Sequence, residues 1–211
     1  MIPTREQWLS ALEGRHGKEL QSRFSASTVA VCGLGGLGSN IAVALARAGV
    51  GRLILIDFDR VDITNLHRQQ YKAGQIGRFK TEALAENLRE IAPYINIETV
   101  TEKLMEDNFA AYLGSADVVC EAFDNAEAKA MLVNGVLEKL PLCFLVAASG
   151  MAGMGTPNAI RTRRIMKRFY LCGDEVSGVS DSVSLAAPRV MLCAAHQAQT
   201  VLRIIAGEFD V

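Results

Sequence analysis

The 211-residue sequence is poor in features that would tie it to a metal, a membrane or a polyanion. Its five cysteines, Cys32, Cys120, Cys143, Cys172 and Cys193, stand far apart, with no C-x-x-C pair and no zinc-finger spacing, so a bound zinc is not expected. Three of them follow or interrupt apolar runs, the usual setting of buried thiols in a reducing compartment. The longest apolar stretches, such as LCFLVAAS, fall far short of the roughly 20 residues a helix needs to cross a bilayer. The N-terminal stretch MIPTREQWLSALEGRHGKEL scatters charges through an amphipathic helical pattern and lacks the apolar segment of a secretory signal, which points to a cytoplasmic protein. A formal net charge of -1 removes any general attraction to nucleic acid or to an anionic membrane. There is no internal repeat, low-complexity tract or linker, and the length suits one core, so residues 1–211 are expected to form a single domain.

What is present is an alternation of short apolar runs with helical patterns. TVAVC (28–32), RLILID (52–57), INIETV (95–100), ADVVCEA (116–122) and LCFLVAA (142–148) are β-branched or wholly apolar and bounded by Gly, Pro or Asp, as buried strands are. Segments near 39–49, 78–91, 105–113 and 125–139 carry the 3.6-residue period of helices. Strands separated by helices predict an α/β fold of the Rossmann-like, doubly wound kind: a mostly parallel sheet with helices on both faces. Past Ala148 the pattern changes. NAIRTRRIM is a further strand candidate, CGDEVSGVSDSVS is small, polar and turn-prone and reads as a mobile loop, and PRVMLCAAHQAQTVLRIIA is a last helix with Pro188 in its first turn and Gly207 as its stop.

The first strand runs directly into Gly33-Leu34-Gly35-Gly36-Leu37-Gly38 and then into a helix, the context in which a glycine-rich loop lets backbone approach a phosphate or ribose. Asp57 ends the second strand, where an acidic side chain accepts hydrogen bonds from a ribose; a carboxylate that merely caps the turn DFD is the plainer role, for which Asp59 is the better candidate. Asn65, Arg68 and Gln69 follow, and Lys80 opens a helix. Two cations and amides beside a nucleotide loop suit a triphosphate better than a nicotinamide, although a solvated basic surface is the ordinary fate of such residues. Asp124 and Asn125 stand at the carboxyl end of the fourth strand. A lone carboxylate there can hold Mg²⁺ against phosphate oxygens, or can simply cap the next helix.

GLGGLGSN, LARAGVGRLILIDFDRVDITNLHRQ, the lysine of IGRFK and FDNAEAK together resemble the ThiF/MoeB adenylyltransferases, bacterial relatives of ubiquitin-activating enzymes, over roughly residues 28–150. The N-terminal ERHGKEL and the short chain are most similar to a compact ThiF branch linked to thiamine biosynthesis. The resemblance implies that Gly33, Gly35, Gly36 and Gly38 form the nucleotide loop and that Asp57 binds ribose. It further implies that Asn65 and Arg68 contact phosphates, that Lys80 steadies the leaving pyrophosphate, and that Asp124 holds Mg²⁺ with Asn125 beside it. The implied reaction is attack by a carboxylate on the α-phosphate of ATP. The implied partner is a small ubiquitin-like sulfur-carrier protein ending in Gly-Gly, bound by residues 151–211 as a carrier-binding strand, mobile loop and C-terminal helix.

The resemblance also implies a homodimer in which an arginine of the N-terminal helix, residues 1–27, completes the partner's site; Arg5 and Arg15 are the candidates, Arg15 the better. The zinc-binding C-x-x-C pairs of longer relatives are missing, and Ser180 stands near the place of the thiol that receives the carrier in some relatives. Cys172, beside the predicted loop, could substitute for that thiol but is better read as packing. Two other readings compete: a relative that activates the carboxylate of a modified tRNA nucleoside, against which the near-neutral charge counts, and a non-catalytic nucleotide- or NAD-binding module.

Overall fold

The computed structural model describes residues 2–180 and 184–211. Seven strands make one sheet in the order β3-β2-β1-β4-β5-β7-β6. The first five are β1 (Thr28–Cys32), β2 (Arg52–Ile56), β3 (Asn96–Val100), β4 (Val118–Glu121) and β5 (Phe144–Ala148), all mutually parallel. β7 (Phe169–Gly173) continues parallel to β5, and β6 (Arg161–Met166) closes the edge antiparallel to β7. β7 is the strand the sequence pattern did not separate from its surroundings. FYLCG is short, follows two residues after β6 and ends in glycine, so it merges with the polar stretch that follows.

The alternation of side chains along β1 explains the layers. Val29 and Val31 face a cluster that includes Leu37, Ile41 and Leu45 of α3 (Gly36–Ala48), Leu84 and Leu88 of α4 (Lys80–Ile91), and Val190, Cys193 and Val201 of α7 (Ala187–Ala206). Ala30 and Cys32 point the other way, toward Phe109 and Leu113 of α5 (Phe109–Leu113) and Leu132 and Val136 of α6 (Ala126–Lys139). The central strands are therefore buried on both faces, which is why they read as unbroken apolar runs. All five cysteines are buried and unpaired, and burial raises the thiols, Cys172 to about 11 and Cys143 and Cys193 to about 12.

The expected N-terminal helix is two helices, α1 (Arg5–His16) and α2 (Lys18–Ala26), broken at Gly17. Thr4 caps α1 in a reciprocal box with Gln7. None of the residues of α1 is buried, whereas Gln21 and Phe24 of α2 are, so the amphipathic reading holds for the second half only. α7 begins one residue before Pro188 and ends at Gly207, as its sequence signals indicate. The polar stretch expected as a mobile loop starts inside β7, and residues 174–177 are organised around Asp174. Its carboxylate accepts from the Val176 and Ser177 amides at 3.0 and 2.8 Å. Residues 181–183 of that stretch lie outside the described residues. Among the described residues no helix is long and apolar enough to cross a membrane.

Candidate functional site

The strand order reverses between β1 and β4, and a cavity of about 1190 Å³ opens there at the carboxyl ends of the strands, the position at which open α/β sheets bind ligands. Its walls bring together Gly33, Gly35 and Gly36, Asp57, Asn65, Arg68, Gln69, Lys80, Asp124 and Asn125. Arg15 is not among them: it lies exposed at the end of α1, because an N-terminal helix packed on α2 does not reach the cavity of its own chain.

The glycines divide by role. Gly33 has φ +90, and a Cβ there would meet the Ala122 carbonyl oxygen at 2.8 Å, so the first glycine allows β1 to turn beside β4. A Cβ on Gly38 would lie 1.8 Å from the Gly33 oxygen; Gly38 closes the loop against its own start and is not among the residues that line the cavity. Gly35 and Gly36 do face the cavity. The loop is stitched from outside by groups the sequence reading assigned no part. The Tyr71 hydroxyl donates to the Leu34 oxygen at 2.8 Å, and the Asn40 amide donates to Gly36 and Arg68 oxygens at 2.7 and 3.1 Å.

Asp57 accepts from the Leu34 amide at 2.7 Å and the Asp59 amide at 2.8 Å. It thus takes the turn-capping role assigned to Asp59, while Asp59 is the partner of Lys80 at 2.8 Å. Burial pushes the Asp57 carboxyl above the usual carboxylate range; Lys80, 3.8 Å away, and the two amides pull it back. Lys80 is the first residue of α4 and almost fully buried, held at the cavity wall by these two carboxylates. Arg68 lies over Gly36 and donates to the Thr64 oxygen at 3.2 Å, with its Nε buried and unpartnered. Beside it Gln69 is buried with its Oε1 unpartnered. Buried orphan polar atoms are costly, and these two stand at the rim of one cavity. Asn65 is engaged in a cap: its side-chain oxygen accepts from the Asp62 amide at 3.1 Å.

At the end of β4 the two neighbours separate. Asn125, not Asp124, caps α6, accepting from the Ala128 amide at 2.9 Å. Asp124 faces the cavity, exposed, and no hydrogen bond or ion pair engages it among the described residues. Deeper lies a pair the sequence reading missed. Glu121, 1% exposed, receives Lys129 on both oxygens at 2.9 Å, and Lys129 also donates to the Ala148 oxygen at 3.0 Å. The signal was an acid inside the apolar run CEAF and a lysine eight residues on, in the first turn of the next helix. Burial raises the Glu121 carboxyl and Lys129 opposes the rise. Cys172 lies within the sheet against Thr162 and Thr200 rather than at the cavity, so it offers no accessible thiol. Among the described residues no group of three His, Cys, Asp or Glu side chains is placed to hold a metal by itself. Mg²⁺ carried with phosphates needs fewer, and the unengaged Asp124 carboxylate fits that requirement.

Seven mostly parallel strands, helices on both faces and a polar cavity at the switch point define a Rossmann-like α/β protein. The chain belongs to the ThiF family, whose model matches residues 10–210. It is 30% identical over 168 residues to the tRNA threonylcarbamoyladenosine dehydratase of Haemophilus influenzae, covering 79% of this chain and 64% of that protein. It is 40% identical over 113 residues to the molybdopterin-synthase adenylyltransferase of the same organism, covering 53% and 46%. The chain thus spans less than two thirds of either relative. Among solved structures, the Escherichia coli tRNA N6-threonylcarbamoyladenosine dehydratase TcdA in complex with ATP superposes with a TM-score of 0.87 at 22% identity, over 99% of this chain and 98% of that one. Escherichia coli MccB superposes with a TM-score of 0.69 at 20% identity, over 98% and 65%.

Proposed function

We propose that the protein is an ATP-dependent adenylyltransferase that activates a carboxylate. The observation that carries this reading is the cavity in which two cations, an unengaged carboxylate and the unpartnered Nε donor of Arg68 meet a glycine loop. In the reaction a carboxylate oxygen attacks the α-phosphorus of ATP, the bond to the β-phosphate bridge breaks, and an acyl adenylate and pyrophosphate result. No enzyme nucleophile is required; orientation and charge stabilisation supply the rate. Gly35 and Gly36 give the phosphates room, Asp57 faces the ribose, Arg68 and Gln69 offer donors to the phosphates, and Lys80 meets the charge that develops on the leaving pyrophosphate. Asp124 would hold Mg²⁺ with the triphosphate, the ion neutralising part of its charge.

The acceptor we favour is the carboxylate of a modified tRNA nucleoside, not the sulfur-carrier tail of thiamine biosynthesis. Support comes from the relatives named for tRNA threonylcarbamoyladenosine, one matched over 79% of this chain against 53% for the molybdopterin-synthase adenylyltransferase. An adenylate also suits a reaction named as a dehydration, since the carboxylate oxygen departs with AMP. The carrier protein remains the second reading, favoured by that adenylyltransferase relative. Release of pyrophosphate from ATP is measured with threonylcarbamoyladenosine-containing tRNA and, in parallel, with a carrier ending in Gly-Gly. Turnover with the tRNA alone is expected; turnover with the carrier alone would replace the acceptor, and tight NAD binding without ATP binding would sink the adenylyltransferase reading altogether.

A further inference from the structure

The near-neutral charge of the chain conceals a strongly basic edge. Within residues 161–168, RTRRIMKR, Arg161, Arg163, Arg164, Lys167 and Arg168 are basic and no residue is acidic. β6, which carries the first three, is the outermost strand of the sheet and exposed at every position except Thr162, which turns inward to His196 at 3.0 Å. Arg163 pairs with Glu175, and Arg164 lies 5.7 Å from the ring centres of Tyr170 and Phe209. Among the described residues no ion pair engages Arg161, Lys167 or Arg168. The register fixes how this row meets the cavity. β7 runs parallel to β5, whose terminal Ala148 lines the cavity, and Arg161 is opposite Gly173 at that same end of the sheet. The row therefore starts on the cavity side and runs down the open edge for about 17 Å at strand rise.

Charged residues on an edge strand can serve only to repel a second sheet. Mixed signs would do that equally well, whereas a row of one sign, mostly arginine, presents bidentate donors to a line of phosphates. We infer that residues 161–168 form a docking strip for the sugar-phosphate backbone of the RNA whose nucleoside carboxylate enters the cavity. The inference rests on the tRNA reading above, and it assigns to RNA a strand otherwise expected to bind a carrier protein.

The test uses the three basic residues that no ion pair engages, so that their loss breaks no pair within the fold. Binding of a bulk transfer-RNA fraction is followed by fluorescence anisotropy between 50 and 200 mM salt for the wild type and for Arg161→Gln/Lys167→Gln/Arg168→Gln. Three lost phosphate contacts should flatten the slope of log affinity against log salt by about 2 to 3 and weaken binding at least tenfold at the lower salt, while Arg161→Lys/Arg168→Lys stays near wild type. Unchanged affinity and slope in the triple glutamine variant overturn the strip. So does a triple variant that only gains a heavier species by light scattering, the signature of edge protection, or a wild type that binds polyglutamate as tightly as RNA. ATP titration of the same proteins keeps the two readings apart. Lost RNA affinity with retained ATP affinity supports the strip, whereas a wild type that binds RNA through the strip but no ATP overturns the adenylyltransferase reading alone.

Discussion

Asp124 and Asn125 are neighbours with separable jobs, and the separation makes the metal assignment testable at a single residue. Because Asn125 is the cap of α6, Asn125→Ala should lose about 1 kcal/mol of stability. Asp124→Ala should leave the melting temperature unchanged and abolish pyrophosphate release, since it removes an exposed carboxylate that nothing in the fold uses. A destabilised but active Asp124→Ala protein would contradict the assignment. The glycine loop allows a similar division. In Gly35→Ala the new Cβ would have only the Gln69 amide nitrogen near it, at 3.8 Å, so the protein should fold and lose ATP affinity in calorimetry. In Gly38→Ala the Cβ would collide with the Gly33 carbonyl, and the expected result is lost stability as well as lost binding.

Between elements, two buried ion pairs hold the floor and the rim of the cavity. Lys129 ties α6 to the ends of β4 and β5 through Glu121 and the Ala148 oxygen. Lys129→Met leaves the Glu121 carboxyl unpaired in the core and should cost about 3–5 kcal/mol in urea denaturation; Lys129→Met with Glu121→Gln should recover part of that loss. Arg189 in the first turn of α7 binds the Ala152, Gly155 and Thr156 oxygens at 2.8 to 3.1 Å and the Asp174 carboxylate at 2.5 Å, pinning the segment that crosses from β5 and the loop after β7. Burial alone would raise the Asp174 carboxyl. The Ser177 and Val176 amides, the Ser177 hydroxyl and Arg189 outweigh it and hold the group at about 2, against an ordinary 3.8. A depressed acid contributes stability above its unfolded pKa and loses it as the pH falls through the folded one. The stability difference between the wild type and Asp174→Asn should therefore be constant above about pH 5 and shrink toward pH 2; a difference that grows on acidification would contradict the linkage.

At the scale of the whole molecule, α1 packs on its own monomer through the partly buried Trp8 but keeps an open face. It buries none of its residues, leaves Leu9 exposed, and carries Arg15 away from its own cavity. We propose that it docks on a second copy and presents Arg15 there, which predicts a dimer by light scattering at micromolar concentration. Mixing Arg15→Ala protein with Asp124→Ala protein should then restore activity in heterodimers, through the one site that receives Arg15 from one chain and Asp124 from the other. A monomer with full turnover would refute the arrangement. Charge also has to be judged at this scale. The sum of -1 counted against RNA only as long as the charge was taken to be spread evenly.

Much of this architecture was legible along the chain, because each reading rested on a local cause. The runs at 28–32, 52–57 and 142–148 marked strands since a sheet covered on both faces admits only apolar side chains, and the glycine spacing, Asp57, Lys80 and Asp124 fall in the wall of one cavity since each ends or begins an element at the same end of the sheet. What tertiary structure alone decided was partnership between residues far apart in sequence. Asp57 is bound to the amide of Leu34, the cap of α6 is Asn125 rather than Asp124, Gly38 closes the loop instead of facing the cavity, and β7 becomes a strand because β5 and β6 lie on either side of it. Hydrogen bonds and ion pairs depend on positions a few ångströms apart, and such distances are set only when helices and strands have packed. For that reason composition could report how many basic residues the chain has, and only the order of the strands could put the strand that carries Arg161, Arg163 and Arg164 at the open edge of the sheet.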